Sequence, residues 1–300
     1  MTSAPEPLCD RARRLLEGGT PDDPADGAPD DEPRGDAHDR VVALLRRAVV
    51  HGEWSAPELL ATAYLDRGAR GPAVEVLTPA VHHQGRDDLA GLLGETLAEL
   101  GDHETAEAAF LRGLDAGDPS AMNGYGLFLW NRGRTQEAGY VLDRAARAGD
   151  DLAPLNLVTL HLEELDDLVG AAVVAGEFHD ESRPSTLVAL ADVRLAAGRL
   201  DDAETLYRLA VELGATCGHV YLGWFLQDQR EDLDGAEEEL RAAHEQGEPR
   251  AAFHLGRFLF DTGRGDEARP LLEDAAARGD GDADALLEAE YRGTVDPYDD

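Results

Sequence analysis

A small residue returns every 32 or 33 positions through most of this chain, at Ala61, Gly94, Gly126, Thr159, Ala191, Gly223 and Gly256. A period of that length marks a repeat array, in which each unit is too small to bury its own apolar face and must stack on its neighbours. Other columns keep step. The residue before each small one is apolar: Leu60, Leu93, Tyr125, Val158, Leu190, Leu222 and Leu255. Seven positions after it stand Gly68, Gly101, Gly133, Gly198 and Gly263. Twelve after it stand Ala73, Ala106, Ala138, Ala171, Ala203 and Ala268, followed four later by Leu77, Phe110, Leu142, Tyr207 and Leu272. Each unit closes on glycine, at Gly85, Gly117, Gly149, Gly214, Gly247 and Gly279. The pattern predicts two amphipathic helices per unit, a tight turn between them, and a left-handed residue ending the second.

Two units depart from it. The fourth, about 152–182, has Asp166 at the turn and Phe178 where a small residue usually sits. The sixth carries one extra turn residue, which shifts its alanine to Ala236 and its larger residue to Leu240.

Ahead of the array, residues 1–19 are expected to hold a short helix and residues 38–56 a helix leading into it. Residues 20–37 between them are rich in Pro, Gly and Asp, with no apolar side chain larger than alanine. Such a stretch buries too little to offset its ordering entropy, so a disordered acidic insert is expected. About seven hairpins fill residues 57–282. A capping helix at 283–292 and a flexible tail at 293–300 complete the expected order.

Composition narrows the partners. The net charge is −35, and all 27 basic residues are arginine. Such a surface attracts basic partners and repels nucleic acid, so direct nucleic-acid binding is not expected. The two cysteines, Cys9 and Cys217, form no CxxC pair and fit a reducing cytoplasm. No apolar run suits a membrane span or a secretory leader. No catalytic or metal-binding motif with specific spacing is present, so no catalytic residue, metal or cofactor is expected. His82 and His83 are adjacent and point different ways on a helix, whereas His161 and Glu164 are spaced to share a helical face.

Gly94–Leu97–Ala106–Phe110–Gly113 and Gly126–Leu129–Ala138–Leu142–Ala145 resemble the tetratricopeptide repeat, and the likeness extends over about 57–280. Hairpin endings such as AARAGD at Ala145–Asp150 and AAARGD at Ala275–Asp280 resemble the related Sel1-like repeats. The resemblance implies an all-α fold: a right-handed α-solenoid of stacked antiparallel helical hairpins, with the first helices lining a concave groove.

On that geometry the groove positions lie three before and one, four and five after each small residue. They bring forward Asn123, Trp130, Asn131, Asn156, Glu163, Trp224, Gln227, Asp228, Phe253, Arg257 and Phe260. Asn123 and Asn156 share one column in consecutive repeats, where an amide can both donate to and accept from an extended peptide. The aromatic residues either anchor a partner or pack between adjacent first helices. Glu95, Glu99, Asp192 and Asp261 add negative charge. The family's clamp for a C-terminal carboxylate needs Lys or Arg in the groove, and Arg257 alone qualifies, so that ligand is not expected. The expected function is a non-enzymatic, cytoplasmic interaction scaffold for a basic or neutral protein or peptide. Alternatives are an acidic decoy of a basic nucleic-acid-binding protein and a ligand-sensing regulatory subunit.

Overall fold

The computed structural model describes residues 7–16, 37–180 and 182–294. The expected disordered insert at 20–37 lies almost wholly outside them, as do residues 295–300 of the expected tail. The described chain is all-α and falls into two compact units, 1–116 and 117–300.

The first unit holds α1 (Leu8–Leu16), α2 (Ala37–Val50), α3 (Ala56–Leu65), α4 (Arg70–His83), α5 (Ala90–Glu99) and α6 (His103–Ala116), with a 3-10 turn at Asp87–Leu89. They pair as three antiparallel hairpins, α1 with α2, α3 with α4 and α5 with α6, and α2 packs on α3 and α4 on α5. The carboxylate of Glu53 accepts from the backbone N–H groups of Leu8 and Cys9, each at 2.9 Å. It supplies acceptors to the otherwise unpaired first turn of α1. Arg86 is 2% exposed; its guanidinium lies 4.5 Å over the Trp54 ring and pairs with Asp88.

The second unit holds five hairpins: α7 (Pro119–Asn131) with α8 (Thr135–Ala148), α9 (Ala153–Glu163) with α10 (Leu168–Phe178), and α11 (Ser185–Ala196) with α12 (Leu200–Glu212). Next come α13 (Gly218–Arg230) with α14 (Leu233–Gln246) and α15 (Ala251–Asp261) with α16 (Gly265–Ala277). The final helix, α17 (Gly281–Thr294), packs on α16 and buries Ala283. Helices α3 to α16 form seven hairpins.

The periodic columns do the packing. A methyl group added at Gly126 would stand 2.6 Å from Leu142, and one at Gly94 would stand 2.8 Å from Phe110. The small residue is where the large side chain of the second helix presses onto the first. Gly223 meets Leu240 and Gly256 meets Leu272 in the same way. The extra turn residue of the sixth hairpin thus moves Ala236 and Leu240 along the sequence without changing what they touch.

Turn chemistry explains the fourth hairpin. Asp166 takes the left-handed conformation, φ 47°, at the position where Gly68, Gly101, Gly133, Gly198 and Gly263 turn five of the other hairpins. Aspartate tolerates that region better than most residues. Asp167 then caps α10, accepting from the Gly170 N–H at 2.8 Å, and its other oxygen lies 3.3 Å from His161 Nδ1. Phe178 is half-buried with the Arg147 guanidinium 5.4 Å over its ring.

Candidate partner-binding face

The second unit separates two kinds of surface. Its second helices carry arginine–carboxylate pairs: Arg147 joins Asp143 and Glu177, and Arg208 joins Glu204. Farther along, Arg241 and Arg264 both join Glu237 and Glu267, and Arg278 joins Asp274. These pairs stitch second helices within and between hairpins. The first helices carry few such pairs, with Arg257–Asp261 at 3.6 Å an example within α15.

Two of the expected residues meet directly. Asn156 on α9 donates its side-chain amide to the Asn123 carbonyl on α7 across 2.9 Å. The pair uses one donor and one acceptor and leaves the others of each amide for a partner. At the far end of α7, Trp130 donates its indole N–H to Glu164 at 3.0 Å. His161 pairs with Asp167 instead, so His161 and Glu164 do not act together. Asn131 is exposed beside the turn.

Farther along, Trp224 forms a wall between two depressions. On one side lies a cavity of about 790 Å³ among α13, α15 and α17, lined by Trp224, Gln227, Asp228, His254, Arg257 and Asp261 among others. His254 stands edge-on to Trp224 at 4.6 Å, and burial with nearby Arg250 lowers its pKa to about 4, so it is neutral near pH 7. On the other side lies a cavity of about 320 Å³ reaching α9, α11 and α13, with Glu163, Asp192, Tyr207, Tyr221 and Asp228 in its lining. Tyr207 donates its hydroxyl to Asp192. Burial pushes the Asp192 carboxyl up to about 7, against the lowering effect of that bond, and the nearby Glu163 charge adds to the rise.

Phe253 and Phe260 pack against the core, and Phe253 also lines the larger cavity. Phe253 is 6% exposed within the core cluster, with the Arg250 guanidinium 4.8 Å from its ring centre. Phe260 is partly buried against the same core. Both serve packing: a large apolar ring gains more from the adjoining core than from water. Sequence reasoning missed Tyr207 and Tyr221. Tyr207 stands in the packing column and is buried there, yet its hydroxyl reaches Asp192 on the first helix of its own hairpin. The available signal was a tyrosine among the leucines and phenylalanine of that column.

Among the described residues, no helix is long and apolar enough to cross a membrane. The tetratricopeptide repeat profile matches residues 92–153 and 226–284, and a second profile of the same repeat matches 184–208. No curated protein matches the sequence. The structure is similar to that of yeast Tom70, with a TM-score of 0.55 and 17% identity, covering 89% of this chain and 63% of that one. The chain thus spans under two thirds of the Tom70 chain. It is also similar to the human IFIT1 dimer with m7Gppp-AAAA, with a TM-score of 0.51 and 14% identity, covering 90% of this chain and 71% of that one. At such identities the likeness concerns the fold.

Proposed function

The chain carries tetratricopeptide repeats, and on that premise we propose a non-enzymatic scaffold for protein–protein contacts. The first-helix face of the second unit binds a basic or neutral protein or peptide, in the groove such repeats form. The carrying observation is the placing of charge: arginines pair with Asp143, Glu177, Glu204, Glu237, Glu267 and Asp274 of the second helices, while the first-helix carboxylates Glu163, Asp192 and Asp228 stay without a cationic partner among the described residues. A face with excess negative charge, amides and aromatic rings suits a cationic or neutral chain and disfavours an acidic one. The Asn123–Asn156 pair supplies further donors and acceptors to an extended backbone. The free cysteines support a cytoplasmic setting.

Capture of partners by the wild type and by Trp130→Ala with Asn156→Ala tests the reading. Loss of the captured partners from the double variant supports it, and equal recovery of the same partners refutes it. The net charge of −35 favours a second reading, an acidic decoy for a basic nucleic-acid-binding protein. Binding by charge alone would weaken steeply between low and moderate salt, whereas binding in the groove would weaken little.

A further inference from the structure

The cavity among α9, α11 and α13 combines three properties. It has carboxylates from three first helices, Glu163 on α9, Asp192 on α11 and Asp228 on α13, and no basic residue in its lining. None of the three pairs with a cation among the described residues. Its other walls are aromatic: the Tyr221 and Trp224 rings lie 5.2 Å apart, and neither the Tyr221 hydroxyl nor the Trp224 indole N–H has a hydrogen-bond partner among the described residues. Leu162 and Leu195 add an aliphatic surface.

We propose that this cavity receives one cationic side chain, lysine or arginine, from the bound protein, with its charge against Asp192 and its stem along the rings. The proposal rests on the groove reading above and names the contact that selects a basic partner. A lysine or arginine stem covers apolar surface while its head keeps polar neighbours, and aromatic faces attract the cation as well. Tyr207, donating from behind, holds the Asp192 carboxylate in place. A cation there requires Asp192 to be ionised, so binding releases a proton from the fraction of molecules in which it is neutral. The other titratable groups facing it are Glu163 on α9, Tyr207 on α12, and Tyr221 and Asp228 on α13. Asp192 titrates near neutrality, so affinity rises with pH through that region.

The test uses the full chain with Trp54→Phe and Trp130→Phe, so that fluorescence reports Trp224. The probes are blocked lysine, blocked arginine and blocked norleucine amides, the last an uncharged control with the aliphatic stem of lysine. A cationic amide is expected to quench or shift the emission saturably, at least fivefold more tightly than norleucine, and more tightly at pH 8 than at pH 6. Asp192→Asn keeps an acceptor for Tyr207 and should remove the preference; Glu163→Gln, at an exposed site, should weaken it two- to threefold. Equal binding of norleucine, or an unchanged preference in Asp192→Asn, overturns the proposal. If partner capture still depends on Trp130 and Asn156 in that case, the cavity assignment alone has failed. If it does not, the groove reading has failed too.

Discussion

The side-chain amide of Asn156 donates to the side-chain carbonyl of Asn123, 33 positions earlier in the chain, across 2.9 Å. One repeat thus presents its polar groove residue to the same residue of the preceding repeat. Removing one partner leaves the other half-satisfied and partly buried, which typically costs about 1 kcal/mol. Asn156→Ala is expected to lower the urea midpoint by that small amount. A loss of several kcal/mol would mean that the pair mainly holds the hairpins together.

Gly126 and Leu142 test the packing columns. A methyl at Gly126 intrudes on Leu142, so Gly126→Ala should destabilise by about 1–3 kcal/mol. Leu142→Ala should cost about 2–5 kcal/mol by leaving a cavity. Because the new methyl enters the space the leucine vacates, the double variant should lose less than the sum. Strict additivity in denaturant melts would contradict the contact.

Asp192 gives a pH signature in stability. Its carboxyl is raised from 3.8 to about 7 by burial, so the folded protein holds a proton there that the unfolded chain releases. That contribution is fully present below about pH 4 and is lost as pH rises to about 7. Wild type should therefore lose stability relative to Asp192→Asn across this window. A constant difference between the two proteins from pH 4 to pH 8 would contradict the raised value.

Glu53 should guard Cys9. The thiol is 3% exposed, and burial raises its pKa, with Glu53 adding to the rise. Glu53→Ala removes the acceptors of the Leu8 and Cys9 N–H groups and should fray α1. Labelling of Cys9 by a thiol reagent should then accelerate about tenfold, since exposure controls thiol reactivity. Cys217 should keep its rate.

The excess of negative charge should make the protein more stable in moderate salt, because self-repulsion is screened over about 10 Å at 0.1 M. A melting temperature that falls on adding sodium chloride would show that the arginine–carboxylate pairs of the second helices outweigh the repulsion.

The fold was legible because its signal is repeated: Gly94, Gly126 and Gly256 each meet the large residue that one spacing assigns to the second helix, and Gly223 meets Leu240 one position further on. Asp166 was legible as a turn for the same reason. Side-chain destinations in the groove were less so. Phe253 shares a column with Asn123 and Asn156, yet its ring packs in the core while one side lines the larger cavity, and the two amides pair with each other, because column position fixes a direction and chemistry decides the contact. Tyr207 shows the converse, a packing residue whose terminal hydroxyl reaches a groove residue. Spacing alone encodes neither.

Placing a photo-crosslinking amino acid at single positions tests most directly where a partner sits. Substitution at Trp130 or Asp228 on the first helices is compared with Tyr140, which is 66% exposed on α8. Binding in the groove requires crosslinks to a protein partner from Trp130 and Asp228 and little or none from Tyr140. Efficient crosslinking from Tyr140, with none from the first-helix positions, would place the partner on the second helices and contradict the groove.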